Sequence, residues 1–155
     1  KTFIARKTSP YFRNIRKEIT KSPVFYFNDL GLKNYALNEF GNVTISRTIG
    51  FHFQNFIFQI LTEKSRTTST QIHFWKTKDG AEVDFVIDAG KEVIPVEVKY
   101  TTLKNSSIGK SLASFLEKYH PRKALLINLT RREKIQYKKS TVEIILFYAL
   151  LQESF

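Results

Sequence analysis

Between residues 71 and 100 the chain carries three short runs rich in β-branched and aromatic side chains, Gln71–Lys78, Glu82–Asp88 and Val93–Tyr100, with a glycine in each gap. Short gaps leave such runs little choice but to pair with their neighbours, so they predict three adjoining strands of one sheet. The second gap sets a register. If Gly90 and Lys91 are the central pair of a two-residue turn, Gly90 takes the first position of a type II′ turn, where φ is positive. Pairing then runs Ala89 with Glu92, Val86 with Pro95, Asp84 with Glu97 and Glu82 with Lys99. This register predicts that Asp84 and Glu97 face each other with Cβ atoms about 5 Å apart. Glu82 and Lys99 fall on the same face, because side chains alternate along a strand.

Two facing carboxylates repel and destabilise the pair unless something neutralises them. Their neighbours in Val83-Asp84-Phe85-Val86 and Val96-Glu97-Val98 are apolar, so partial burial raises that cost. A hard divalent cation such as Mg²⁺ or Mn²⁺ resolves it by taking oxygens from both acids and from water. Such an ion neutralises charge on a phosphoryl oxygen, and Lys99 stands next along the same face to add to that. The residues also admit a plainer reading. In it, Glu82 and Lys99 form a cross-strand ion pair on the surface while Asp84 and Glu97 face solvent.

Around this hairpin the pattern predicts an α/β (α+β) layered domain, a central mixed sheet flanked by helices. A helix is expected over 47–64, where Ile49, Phe53, Phe56, Ile57, Ile60 and Leu61 share one face and Gln54 lies at its edge. A second is expected over 107–119, capped by Asn105, Ser106 or Ser107 and stopped by His120-Pro121. Ala124–Asn128 reads as a central strand buried on both faces, Val142–Phe147 as another, and Tyr148–Gln152 as a short helical tail. Upstream, Val24–Phe27 reads as a strand that Asn28-Asp29 and Gly31 bring to a turn, and Tyr11–Thr20 as a short helix.

The net charge of +11 is unevenly spread. Residues 1–21 hold seven Lys/Arg against one acid and residues 98–140 hold eleven against two, whereas 22–97 hold seven against nine acids. An acid-bearing centre between basic segments suits a surface that tracks a nucleic-acid backbone, with Lys104, Lys110, Arg131 and Arg132 as candidate DNA contacts; a solvated lysine-rich surface accounts for it equally well. The absence of cysteine excludes disulfides, thiolate metal sites and a cysteine nucleophile, and fits a cytoplasmic setting. No apolar run approaches the roughly 20 residues of a membrane span. His52, His73 and His120 lack metal-ligand spacing, and Trp75 reads as core. Because the chain starts at Lys1 and has no methionine, it reads as part of a longer protein, with 1–20 a basic remnant of an upstream region and 21–155 the domain.

The run Phe74-Trp75-Lys76 to Gly80-Ala81-Glu82-Val83-Asp84-Phe85-Val86-Ile87, followed by Ile94-Pro95-Val96-Glu97-Val98-Lys99, resembles the PD-(D/E)XK nuclease-like superfamily. More narrowly, it is similar to the domain of unknown function at the C-terminus of many bacterial and archaeal AAA-type ATPases. Lys21 to Leu32 resembles that family's aromatic opening segment, and Gly50 to Ile57 its first core helix. The resemblance implies a restriction-endonuclease-like core, with Asp84 and Glu97 as metal ligands and Lys99 as the catalytic lysine. It further implies Mg²⁺ or Mn²⁺ as cofactor, DNA as substrate, and ATP bound only by an upstream module, since these residues hold no Walker-type loop. Where the family helix usually carries glutamate, this chain has Gln54, which removes one negative charge. The alternative implied is an inactive nuclease-fold module that binds DNA or protein.

Overall fold

The computed structural model describes residues 4–12, 22–38, 49–103 and 105–152. Strands β1 (Ala5–Thr8) and β2 (Val24–Phe27) form an antiparallel pair. Helix α1 follows at Leu30–Ala36, and α2 spans Ile49–Lys64. Strands β3 (Gln71–Lys76), β4 (Glu82–Asp88) and β5 (Val93–Val98) lead to helix α3 (Lys110–Tyr119). Strands β6 (Lys123–Asn128), β7 (Glu133–Tyr137) and β8 (Ser140–Leu146) then complete the sheet, and a 3₁₀ turn over Phe147–Leu151 follows.

The main sheet has six strands in the order β3-β4-β5-β6-β8-β7. The β3, β4 and β5 strands run antiparallel, β5, β6 and β8 run parallel, and β7 returns antiparallel along β8. Alternation along β6 sorts its side chains between two cores. Leu125 and Ile127 pack with Phe53, Ile57 and Leu61 of α2, whereas Ala124 and Leu126 pack with Leu112, Phe115 and Leu116 of α3. The result is a layered α/β domain, a mixed sheet with a helix on each face, as the sequence predicts.

Several local expectations change. Asn28-Asp29 does not simply turn the chain: Asp29 Oδ1 accepts from the Leu32 amide at 3.0 Å and so caps α1. Helix α3 starts at Lys110 behind Gly109, later than expected, because Ser106 bonds Glu133 instead of capping the helix. His120 closes α3 in the left-handed conformation at φ 52°, ahead of Pro121. The basic run after Arg131 contains a strand, β7, that forms one edge of the sheet. Its exposed Lys134 ion-pairs with Glu143 of β8, placing charge where an unpaired edge invites association. The expected helix over Tyr11–Thr20 falls outside the described residues except for Tyr11 and Phe12, which are not helical. Tyr11 is instead part of the α3-side core, and its amide donates to the Phe74 carbonyl of β3 at 2.6 Å.

One contact fixes β2 against α2. The fully buried Asn55 accepts from the Phe27 amide at 2.8 Å and donates to the Phe27 carbonyl at 2.7 Å, taking the place of a neighbouring strand. Gln59 also donates to that carbonyl, so only the amide depends wholly on Asn55. Replacing Asn55 with alanine is therefore expected to cost about 2–3 kcal/mol, the penalty of a buried unpaired donor plus a lost hydrogen bond. Urea unfolding of the variant checks this, and an unchanged midpoint would show that Asn55 does not hold the two elements together.

Candidate functional site

The β4–β5 turn has the expected register. Gly90 adopts φ +81°, the Ala89 amide donates to Glu92, and Val86 pairs with Pro95. The ladder nevertheless ends at Phe85 and Val96, one rung short of Asp84 and Glu97. The cause lies on the other side of β4. His73 pairs with Val86 but Trp75 pairs with Val83, so Asp84 and Phe85 together stand opposite the single residue Phe74. This is a β-bulge, which bends its strand and redirects side chains. It also explains why Val83 and Val86 both pack on the α3 side while Phe85 and Ile87 pack on the α2 side.

Asp84 consequently lies in the gap where β4 leaves β5. Its Oδ2 accepts from the Val98 amide at 2.7 Å, filling the position of the missing β4 carbonyl, and its Oδ1 accepts from Gln54 Nε2 at 3.0 Å. The same Gln54 nitrogen donates to the hydroxyl of Tyr26 at 3.1 Å. Tyr26 is buried and its ring stacks on Phe58 with centroids 4.3 Å apart, so the hydroxyl is rigidly placed. Burial raises the Asp84 carboxyl to about 6; the Val98 hydrogen bond opposes this, the charge of Glu97 adds to it, that of Lys99 opposes it and that of Glu82 adds to it. Burial, followed by the charges of Asp84 and Glu82, also pushes the Tyr26 hydroxyl well above its ordinary range.

Glu97 is 5% exposed, and its Oε1 lies 2.6 Å from Lys99 Nζ. Among the described residues, its Oε2 is buried without a hydrogen-bond partner. A Cβ on Gly109 would stand 3.2 Å from Oε1 and 3.5 Å from Oε2, so a glycine ahead of α3 leaves room at these oxygens. Burial works to lower the Lys99 ammonium, but the hydrogen bond to Glu97 and the charges of Glu97 and Asp84 outweigh it and raise the group above its usual value. The expected Glu82–Lys99 pairing does not form. Glu82 turns to Lys76 at 2.7 Å, because the bulge and the end of the ladder carry its strand away from β5.

Asp84, Glu97, Lys99 and Gln54 thus form one neighbourhood at the carboxyl ends of the parallel strands. They do not form the facing rung that alternation predicts. Arg131 and Arg132 follow the carboxyl end of β6 at the same edge, with Arg131 Nε held by Glu133 at 2.9 Å. Lys110 is the first residue of α3, and Lys104 lies outside the described residues. Among the described residues no group of three His, Cys, Asp or Glu side chains is placed to hold a metal ion. The acids of this neighbourhood offer a pair, Asp84 and Glu97. Sequence reasoning missed Tyr26 and Gly109; the only local signals were a tyrosine in an apolar strand and a glycine before a helix.

No helix of the described residues is long and apolar enough to cross a membrane. The chain is similar to "Uncharacterized protein Rv2008c" of Mycobacterium tuberculosis and "Uncharacterized protein Mb2031c" of Mycobacterium bovis, each 26% identical over 115 residues, or 73% of this chain. It spans 25% of the length of those curated relatives. One family model, described as a domain of unknown function, DUF4143, matches residues 49–149, a stretch running from the start of α2 into the 3₁₀ turn and including Gln54, Asp84, Glu97 and Lys99. By that match, which covers well over half of its length, the chain belongs to the DUF4143 family.

Proposed function

We propose that this domain is a nuclease-fold, DNA-acting part of a larger ATP-using protein, and that Asp84, Glu97 and Lys99 form a divalent-metal-dependent phosphodiesterase centre. The observation that carries this reading is the buried, unpartnered Oε2 of Glu97 close to a second acid, Asp84. A carboxylate oxygen without a donor in a dry site fits a small hard cation, and the all-oxygen character of the pair fits Mg²⁺ or Mn²⁺. Asp84 and Glu97 would hold the ion, whose remaining ligands would be water and a phosphate oxygen. When bound, the ion would supply charge neutralisation at the phosphoryl group and a more acidic water.

The chain's own residues do the rest. Lys99, with its side chain 46% exposed, keeps its proton and presents positive charge to a phosphate entering from solvent. Gln54 and the Val98 amide hold the Asp84 carboxylate in place from two sides. Asp84 must be ionised to serve as a ligand, so protons compete with the ion and metal binding is expected to weaken as pH falls through about 6. The basic residues Lys110, Arg131 and Arg132 would track the DNA backbone. The ATP-binding function belongs to residues beyond this domain, in keeping with its resemblance to C-terminal domains of AAA-type ATPases.

One observation favours a second reading, a nuclease-fold module that binds DNA or protein without cutting. Gln54 and Val98 already give each Asp84 oxygen a donor, and Lys99 already pairs with Glu97. Cleavage assays with Mn²⁺ or Mg²⁺ on linear, branched and single-stranded DNA separate the two. Metal-dependent cleavage is expected, lost by about a hundredfold or more in Asp84→Ala and Lys99→Ala and increased in Gln54→Glu. No cleavage by either the native chain or Gln54→Glu would overturn the phosphodiesterase. Salt-dependent binding that survives Asp84→Ala would then leave the DNA-binding module.

A further inference from the structure

Beside Lys99, the carboxyl edge of the sheet carries a connected group of aromatic rings. Tyr100 follows Lys99 directly, and its ring centroid lies 5.3 Å from Phe53 of α2. Phe53 meets Phe147 edge-on at 5.8 Å, just past the end of β8, and Phe147 meets Tyr148 at 5.5 Å and Phe56 at 6.3 Å. The inner two rings are packed and the outer three are open to solvent: Tyr100 is 40% exposed, Phe56 39% and Tyr148 56%. Gln54, next to Phe53, reaches Asp84, so this shelf adjoins the acid site directly.

An aromatic shelf on a single domain calls for an occupant, and the surrounding charge selects one. The shelf is flanked by Lys99 on β5 and by the loop after β6 with Arg131 and Arg132, on a chain whose net charge is +11. A polyanion with flat, apolar faces meets both demands: its phosphates take the cations while its bases lie on the rings. A base-paired duplex hides its base faces and has only its backbone to offer. Mutual edge-to-face packing holds the rings in place beforehand, which lowers the ordering cost of stacking.

We propose that Tyr100, Phe56 and Tyr148 form a stacking shelf for unpaired nucleotides, so that the site takes single-stranded or frayed nucleic acid in preference to intact duplex. The proposal rests on the nucleic-acid reading of the Asp84–Glu97–Lys99 site and names its substrate class. The sugar is left to experiment, because the shelf meets the base alone.

Fluorescence anisotropy in EDTA, where cleavage cannot contribute, tests this with the 155-residue chain. The probes are a short oligothymidylate, its oligouridylate counterpart and a mixed-sequence duplex of equal length. Single strands are expected to bind about tenfold or more tighter than duplex, and Tyr100→Ala, Phe56→Ala and Tyr148→Ala each to weaken single-strand binding about fivefold while changing duplex binding less than about twofold. Circular dichroism confirms that these surface variants keep the fold. Equal affinity for duplex and single strand, or variants that bind single strands as the parent does, overturns the shelf and leaves its rings to a protein partner. Either result is separable from the metal-dependent site: duplex cleavage with an inert shelf retains that site, whereas tight single-strand binding without cleavage retains the shelf alone.

Discussion

Asp84→Asn is expected to stabilise the fold by about 2–3 kcal/mol at neutral pH in the absence of divalent metal, and to abolish any metal-dependent activity. The direction follows from proton linkage. The Asp84 carboxyl titrates at about 6 in the folded chain against an ordinary value of 3.8, chiefly because burial disfavours its charged form. Below that ordinary value both folded and unfolded chains hold the proton, and the residue costs nothing. Between the two values only the folded chain retains it, so stability falls as pH rises; above about 6 the whole cost is present. Just over two pH units at about 1.4 kcal/mol each sets the upper limit of the effect. Asparagine removes the charge and keeps the hydrogen bonding. Its oxygen accepts from Val98, and its amide donates to Gln54 once that side chain flips, with the Tyr26 hydroxyl then donating to the same Gln54 oxygen. Urea unfolding with EDTA near pH 3 and pH 8 provides the check: a gain at the higher pH that disappears at the lower. An equal gain at both would show that Asp84 is not carrying a buried charge. A residue that destabilises its own fold at working pH is what a functional site leads one to expect.

The largest loss of stability is expected at Trp75. Its ring is fully buried between β3 and α3, lies 5.3 Å from Phe115 in an edge-on contact, and donates its Nε1 proton to the Tyr119 hydroxyl at 3.2 Å. Trp75→Ala empties the largest buried side-chain volume in the domain and leaves that hydroxyl without its donor. About 3–5 kcal/mol should be lost, a large part of the 5–15 kcal/mol that a domain of this size commonly has in total. Trp75→Phe, which keeps the ring contacts, should cost clearly less. Thermal and urea unfolding of both variants measure this. Because Trp75 has no exposed face, nucleic-acid binding by the Phe variant should match the parent; weakened binding would assign Trp75 a surface role that its burial excludes.

Much of the architecture could be read from periodicity. The three- and four-residue spacing from Ile49 to Leu61 marks α2, and the apolar run Ala124–Asn128 marks a strand covered on both sides, because both patterns record which faces meet the core. Helix α1 was hidden by its length and by Gly31 inside it, an unfavourable helix residue that resembles a turn signal. Strand β7 did carry a signal. In Glu133-Lys-Ile-Gln-Tyr137 the exposed residues alternate with half-buried ones, and surrounding lysines and arginines obscured that alternation. Asn55 could not be read as a strand substitute, since an amide on a helix acquires that role only when β2 is laid beside it.

The acid site divides in the same way. Residue types, the glycine turn at Gly90 and the register through Val86 and Pro95 follow from the sequence alone, because a two-residue turn sets pairing locally and a positive φ selects glycine. Where that pairing stops does not follow from it. The extra residue at Asp84–Phe85 arises from fitting β4 to β3 and β5 at once, and β5 beyond Val96 is held by β6 on its far side. Only tertiary structure could therefore turn an expected rung of facing acids into Asp84 set in a gap beneath Gln54 and Tyr26, with Glu97 against Gly109 and Lys99. A strand's own alternation specifies its faces, but the competing demands of two neighbouring strands decide where that alternation breaks.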